Sequence, residues 1–91
     1  MIGMSVLYVE YMKDIFFSTL ALGPDTHKEL DKMMMDVPYD EIVIDFSGIR
    51  SMSFEFAKEY LTVKNKSNKS INEVNLAFEL RPIMDKASVF I

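Results

Sequence analysis

No cysteine occurs in the 91 residues, which excludes a disulfide framework and thiolate chemistry. Histidine occurs once, at His27. A histidine metal site or a general-base triad would have to rest on that residue, which falls in the first turn of an expected helix and reads as a solvated imidazole. The three glycines, Gly3, Gly23 and Gly48, stand apart, and no Gly-Lys-Ser/Thr follows any of them. That excludes a phosphate-cradling loop. Long apolar runs are also lacking: Lys13, Asp14 and other polar residues interrupt them well short of the roughly 20 residues a membrane helix needs. The opening stretch has neither the basic n-region nor the small-residue cleavage site of a signal peptide. The expectation is therefore a soluble, cytoplasmic chain with no membrane partner.

What is present points to a folded domain. Hydrophobic residues make up 49% and aromatic residues 12% of the chain, whereas disordered chains combine few apolar residues with high net charge. The length allows one domain, spanning residues 1–91, since units below about 250 residues rarely split. A formal charge of -4 and a pI near 4.8 repel phosphate backbones, so no nucleic acid is expected as a partner. The Asn-X-Ser matches at Asn65 and Asn68 read as polar loop in a chain that is not secreted.

Along the chain, β-rich runs at residues 4–12 and 15–22 flank Lys13-Asp14 and stop at Gly23-Pro24. They predict two opening strands, with a hairpin as one way of joining them. Thr26 followed by Glu29 forms a capping-box pattern, and Leu30, Met33, Met34 and Val37 then share one helical face, giving a first helix over 25–36. The run Ile42-Val43-Ile44-Asp45-Phe46 has no polar face until Asp45, as expected for a central strand covered on both sides. Ser53 can cap a second helix over 54–65, in which Phe56, Ala57, Tyr60 and Leu61 recur at helical spacing. After a polar segment at 66–70, Val74, Leu76, Phe78 and Leu80 alternate with Glu73, Asn75 and Glu79, which predicts a half-exposed last strand. Pro82 suits the first turn of a final helix with Ile83, Met84, Ala87 and Ile91 on one side. The order β-β-α-β-α-β-α is an α/β class with parallel pairing near the centre.

Candidate chemistry is sparse. Asp36, Asp40 and Glu41 flank a turn without the close spacing of a calcium loop. Lys64, Lys66 and Lys69 suit a solvated helix end favoured by the macrodipole. Of the consecutive Met33, Met34 and Met35, helical spacing turns the first two inward and leaves only Met35 as an exposed contact. No metal and no cofactor is expected. The loop after the central strand is more informative. A loop at the carboxyl end of a parallel strand, running into a helix start, is where open α/β sheets place ligands. It carries Ser47, Ser51 and Ser53. Capping by Ser53 and a dipole-favoured Glu55 explain the same residues structurally.

The segment Ile42-Val43-Ile44-Asp45-Phe46-Ser47-Gly48-Ile49, with Met52-Ser53 leading into Phe56-Ala57-Lys58-Glu59, resembles the STAS domain of bacterial anti-sigma factor antagonists. It resembles more closely the STAS-like family of small domains of unknown function. The resemblance implies a four-stranded mixed sheet with about three helices. It also implies a non-catalytic regulatory surface that binds a kinase-like signalling partner and is switched by phosphorylation of a serine at this helix start. A phosphate there adds close to two negative charges to a contact patch. The chain departs from the family pattern at that point. In an ungapped alignment the acidic position reads Ser53, the serine position reads Phe54, and the place of a second serine before Phe-Ala reads Glu55. Ser51 and Ser53 are the remaining candidate acceptors.

Three functional readings follow. The first is a protein-binding module contacting its partner through Ser47, Ser51, Ser53, Phe54 and Glu55, with Phe54 as the apolar anchor. Phe54 is equally readable as a core aromatic, and exposure of its ring separates the two. The second is a structural homodimer formed by the last strand or the apolar end Val89-Phe90-Ile91. The third is an enzyme or small-anion binder at the helix start. It would need a pocket and a perturbed ionisable group, with Asp45 and Glu55 the local carboxylates.

Overall fold

The computed structural model describes residues 7–91. Part of the expected first strand, residues 4–6, lies outside them. The remainder forms β1 (Leu7–Tyr11), which runs directly into the one-turn helix α1 (Met12–Ile15). Then come β2 (Thr19–Leu20), α2 (Thr26–Met34), β3 (Glu41–Asp45), β4 (Ser51–Met52), α3 (Phe54–Lys66) and β5 (Ser70–Val74). A 3-10 turn at Phe78–Leu80 leads into α4 (Arg81–Ser88). The class is α/β.

The sheets differ from the expected four-stranded mixed sheet. β1, β3 and β5 form one sheet in the order β1-β3-β5, while β2 and β4 form a separate pair. All three pairings are parallel. The opening hairpin does not form, because the buried Met12 starts a helical turn where the chain leaves β1, closed by the Phe16 N–H on the Met12 carbonyl at 2.8 Å. Only two residues of the expected second strand are extended.

β3 is central, with Ile42 registered against Tyr8 and Ile71, and Ile44 against Glu10 and Glu73. Parallel neighbours in register share a face, and Ile42, Ile44 and Ile71 are buried on it. Leu30, Met33 and Met34 of α2 join this core with Phe56, Ala57, Tyr60 and Val63 of α3 and Ala87 of α4. The three longer helices therefore cover this one face, with α3 packed against both α2 and α4. The alternate residues Leu7, Val9, Tyr11 and Val74 are exposed and Val43 is half-exposed. The expectation that β3 is covered on both sides fails for this reason: the described chain supplies helices enough for one face only.

The last strand also differs. The alternation of Val74, Leu76, Phe78 and Leu80 does not continue as strand, because Asn75 adopts φ 59, a left-handed conformation that asparagine tolerates better than most residues. Phe78 is 83% exposed whereas Leu80 is buried. The strand lies earlier and turns Glu73 inward, where it accepts the Tyr60 hydroxyl at 2.5 Å and the Lys64 ammonium at 2.8 Å. Burial first, and then the Glu73 charge, push the Tyr60 phenol well above its ordinary pKa, so it donates as a neutral hydroxyl.

Helix starts follow two patterns. At α3 the Phe56 N–H donates to the Ser53 hydroxyl at 3.1 Å, as the sequence suggests. At α2 the capping box does not form; the buried Thr26 is already helical, and its hydroxyl instead accepts the Gly23 N–H at 2.8 Å.

Candidate functional site

Asp45 ends β3, and its Oδ1 braces the loop that follows. It accepts the Ser47 N–H at 2.8 Å and the Ser47 hydroxyl at 2.6 Å, closing a turn of the kind aspartate favours. The Asn75 amide joins the same oxygen at 3.1 Å. These hydrogen bonds, the Ser47 hydroxyl's first, hold the Asp45 carboxyl below its ordinary pKa despite the opposing effect of burial. A carboxylate so held is a turn brace, and proton transfer at neutral pH calls for the opposite shift. Gly48 follows at φ 79, where an added Cβ would lie 2.9 Å from the Lys13 side chain. The positive φ is what favours glycine at this turn, since the exposed Lys13 side chain could swing away from an added Cβ.

The rest of the loop is fastened to β2. The Arg50 N–H donates to the Ser18 carbonyl at 2.7 Å, and the Ser53 N–H to the Leu20 carbonyl at 2.8 Å. Between them Ser51 pairs with Thr19, and Met52 with Leu20. Ile49 and Met52 are buried and anchor the loop from below. Ser47 and Ser51 remain exposed, Ser53 is half-buried, and Glu55 is exposed in the first turn of α3. Because the Ser53 hydroxyl already takes the Phe56 N–H, one donor that a bound anion would use is occupied.

Phe54 is half-buried, between the two readings of its ring. It meets Phe90 edge to face, with ring centroids 5.6 Å apart. Lys86 lies 5.4 Å and Lys58 5.6 Å from the Phe54 centroid, and Lys58 reaches the Phe90 ring at 6.0 Å. Phe90 is itself 61% exposed. The result is a two-ring platform with two cations over it, built from the start of α3 and the residues after α4. Lys58 lies one turn after Phe54 on α3, so its place beside the ring is readable from helical spacing, whereas Phe90 and Lys86 are not legible as parts of this site, because nothing local in the sequence brings α4 to α3. Asn75 carried a signal, being a turn-prone residue inside an otherwise alternating run.

The other sequence candidates lie elsewhere. His27 is not simply solvated: its Nδ1 contacts Glu59 of α3, and its Nε2 lies 3.2 Å from Asp31. It links α2 to α3. Among the basic residues near the end of α3, Lys64 is held by Glu73, and Lys69 donates to the Val37 carbonyl at 2.9 Å. Met35 is 40% exposed, as its helical spacing implies. An open cleft of about 520 Å³ lies between α1 and the start of α2, where Asp14, Phe16, Asp25, Thr26 and Glu29 line it. None of Ser47, Ser51, Ser53, Phe54 and Glu55 does so. Among the described residues no group of three or more His, Cys, Asp or Glu is placed to hold a metal ion. No helix among them is long and apolar enough to cross a membrane.

No family model matches the chain, and neither a curated protein nor a solved structure matches it.

Proposed function

We propose that the chain is a non-catalytic regulatory module that binds another protein through the loop after β3 and the Phe54–Phe90 platform beside it. The observation that carries this reading is the platform. Two aromatic rings under two lysines, one ring mostly exposed, combine the apolar area and cation–π contacts on which protein interfaces concentrate their energy. Below it the loop is braced by Asp45 and fastened to β2, so a partner would meet a surface already ordered. The likeness to anti-sigma factor antagonists belongs to this proposal. It suggests a kinase-like signalling protein as the partner, and Ser53 or Ser51 as the position where added phosphate would switch contact off. At Ser53 the added charge would stand next to Phe54 in sequence.

A second reading has its own observation. Val89 is 78% and Ile91 44% exposed, and β5 is an edge strand, so self-association through the last strand and tail would bury surface left open in the monomer.

Pull-down from the native cell extract with wild type, Ser53→Asp and Phe90→Ala, each verified as folded by circular dichroism, tests the proposal. The expected result is one protein retained by the wild type and lost about tenfold with Phe90→Ala, the equivalent of about 1.4 kcal/mol of binding. Retention unchanged in both folded variants overturns it. A stable dimer mass that reverts to monomer in Phe90→Ala, with no partner captured, replaces it with the second reading.

A further inference from the structure

The ammonium groups of Lys58 and Lys86 lie 5.6 Å and 5.4 Å from the centre of the Phe54 ring, so they stand at most about 11 Å from each other. Lys58 also reaches the Phe90 ring at 6.0 Å. Among the described residues the ion pairs join His27 to Asp31 and Glu59, and Lys64 to Glu73; neither Lys58 nor Lys86 enters one. An ammonium beside a ring turns part of its charge to the π face and keeps N–H donors for an oxygen. We propose that the platform, taken as the contact surface of the proposed function, binds a short acidic motif of its partner. In that motif an aromatic side chain packs on the Phe54 and Phe90 rings, and carboxylates flanking it pair with Lys58 and Lys86.

Charge and size select this occupant. The chain carries a net charge of -4, and the exposed carboxylates Glu55 and Asp85 stand near the two lysines in sequence. A nucleic acid is held by a basic stripe and an anionic bilayer by clusters of about four to eight lysines and arginines. Either would meet Glu55 and Asp85 as well as the two ammoniums. A two-fold contact between copies, platform on platform, would set lysine against lysine. A short motif reaches the two cations and the rings without spreading over the acidic surroundings, and a surface two rings wide suits a small, transient contact. Its geometry is attainable in an extended segment, where residues i, i+2 and i+4 share one side. The outer two of these stand about 13 Å apart at their Cα atoms, a separation that two glutamate side chains leaning inward reduce to that of the ammoniums.

The test uses the full chain and fluorescence anisotropy of short labelled peptides with the cores Glu-Ser-Phe-Ser-Glu, Lys-Ser-Phe-Ser-Lys and Glu-Ser-Ala-Ser-Glu. The expected result is saturable binding of the first, about tenfold tighter than either of the others. In Lys58→Glu/Lys86→Glu, verified as folded by circular dichroism, the preference should invert toward the Lys peptide. Lys86→Glu alone, at an exposed position, should shift it in the same direction and serves if the double variant does not fold. Equal binding of the Glu and Lys peptides, no binding of any, or an unchanged preference in the reversed variants overturns the proposal. So does tighter binding to phosphatidylserine vesicles that Lys86→Glu abolishes, which assigns the lysines to a lipid surface, or self-association that Lys86→Glu dissolves, which assigns them to a second copy. A cellular partner lost with Phe90→Ala but retained by the charge-reversed variant overturns the acidic motif and leaves the platform as the interface; a partner retained by both overturns the two readings together.

Discussion

The two faces of the three-stranded sheet are built from similar residues and meet different surroundings. On β3, Ile42 and Ile44 are fully buried beneath α2 and α3, while Val43 between them looks outward and is half-exposed. On β1, Tyr8 faces inward, stacks on Tyr39 at 4.9 Å and bonds Glu10, while Leu7 and Val9 next to it are exposed. Residue type alone does not separate these positions. Among the described residues the two faces therefore differ in burial, and with it in how much each contributes to stability.

The sharpest way to break this comparison is to truncate neighbours on one strand. Ile44→Ala is expected to destabilise by about 3 kcal/mol, since the cavity beneath α3 cannot collapse fully. Val43→Ala, one residue away, should cost below about 1 kcal/mol. Urea unfolding at constant m-value measures both; equal costs would show that the two faces are not energetically distinct.

A smaller effect tests the helix that covers the sheet. Ser53→Ala removes the acceptor of the Phe56 N–H and is expected to cost about 1 kcal/mol. Ser53→Asp, an equally good cap, should stay within about 0.5 kcal/mol of wild type. The same unfolding curves read both, and a large loss with Ser53→Asp would mean that the hydroxyl does more than cap.

The smallest effect concerns the edge where both faces meet the loop. The Asp45 carboxyl is lowered from 3.8 by its bonds to Ser47 and Asn75. A carboxyl lowered on folding contributes stability that is complete above its unfolded value and is lost as pH falls through the folded value. Wild type should therefore lose stability relative to Asp45→Asn as pH drops from about 5 toward 2, around the ordinary carboxylate range, with no difference in slope above pH 5. Parallel pH profiles for the two proteins would dissociate the bonds at Asp45 from stability.

Legibility in the sequence followed how local each determinant is. α3 could be read almost to the residue, because a serine cap and the spacing of Phe56, Ala57, Tyr60 and Leu61 lie within one segment. The sequence predicts a loop at Ser51–Met52, because only pairing with Thr19–Leu20 makes those residues a strand. The alternation from Val74 to Leu80 predicts the last strand too late in the chain, since Asn75 adopts a left-handed backbone and reaches Asp45. Of the candidate site, Ser53, Phe54 and Glu55 are named by the helix start in the sequence. Phe90 and Lys86 are not, because the packing of α4 on α3 leaves no trace in either helix alone.

By itself the sequence determined the α/β class, the main helices and their buried sides, and the capped turn between β3 and α3. These follow from periodicity and hydrogen-bonding capacity within about a dozen residues. Tertiary structure alone decided which strands pair, which side of β3 is covered and which aromatics share a surface. Strand pairing and face coverage depend on segments tens of residues apart, and an apolar run such as Ile42-Val43-Ile44 carries no information about how many helices will arrive to cover it.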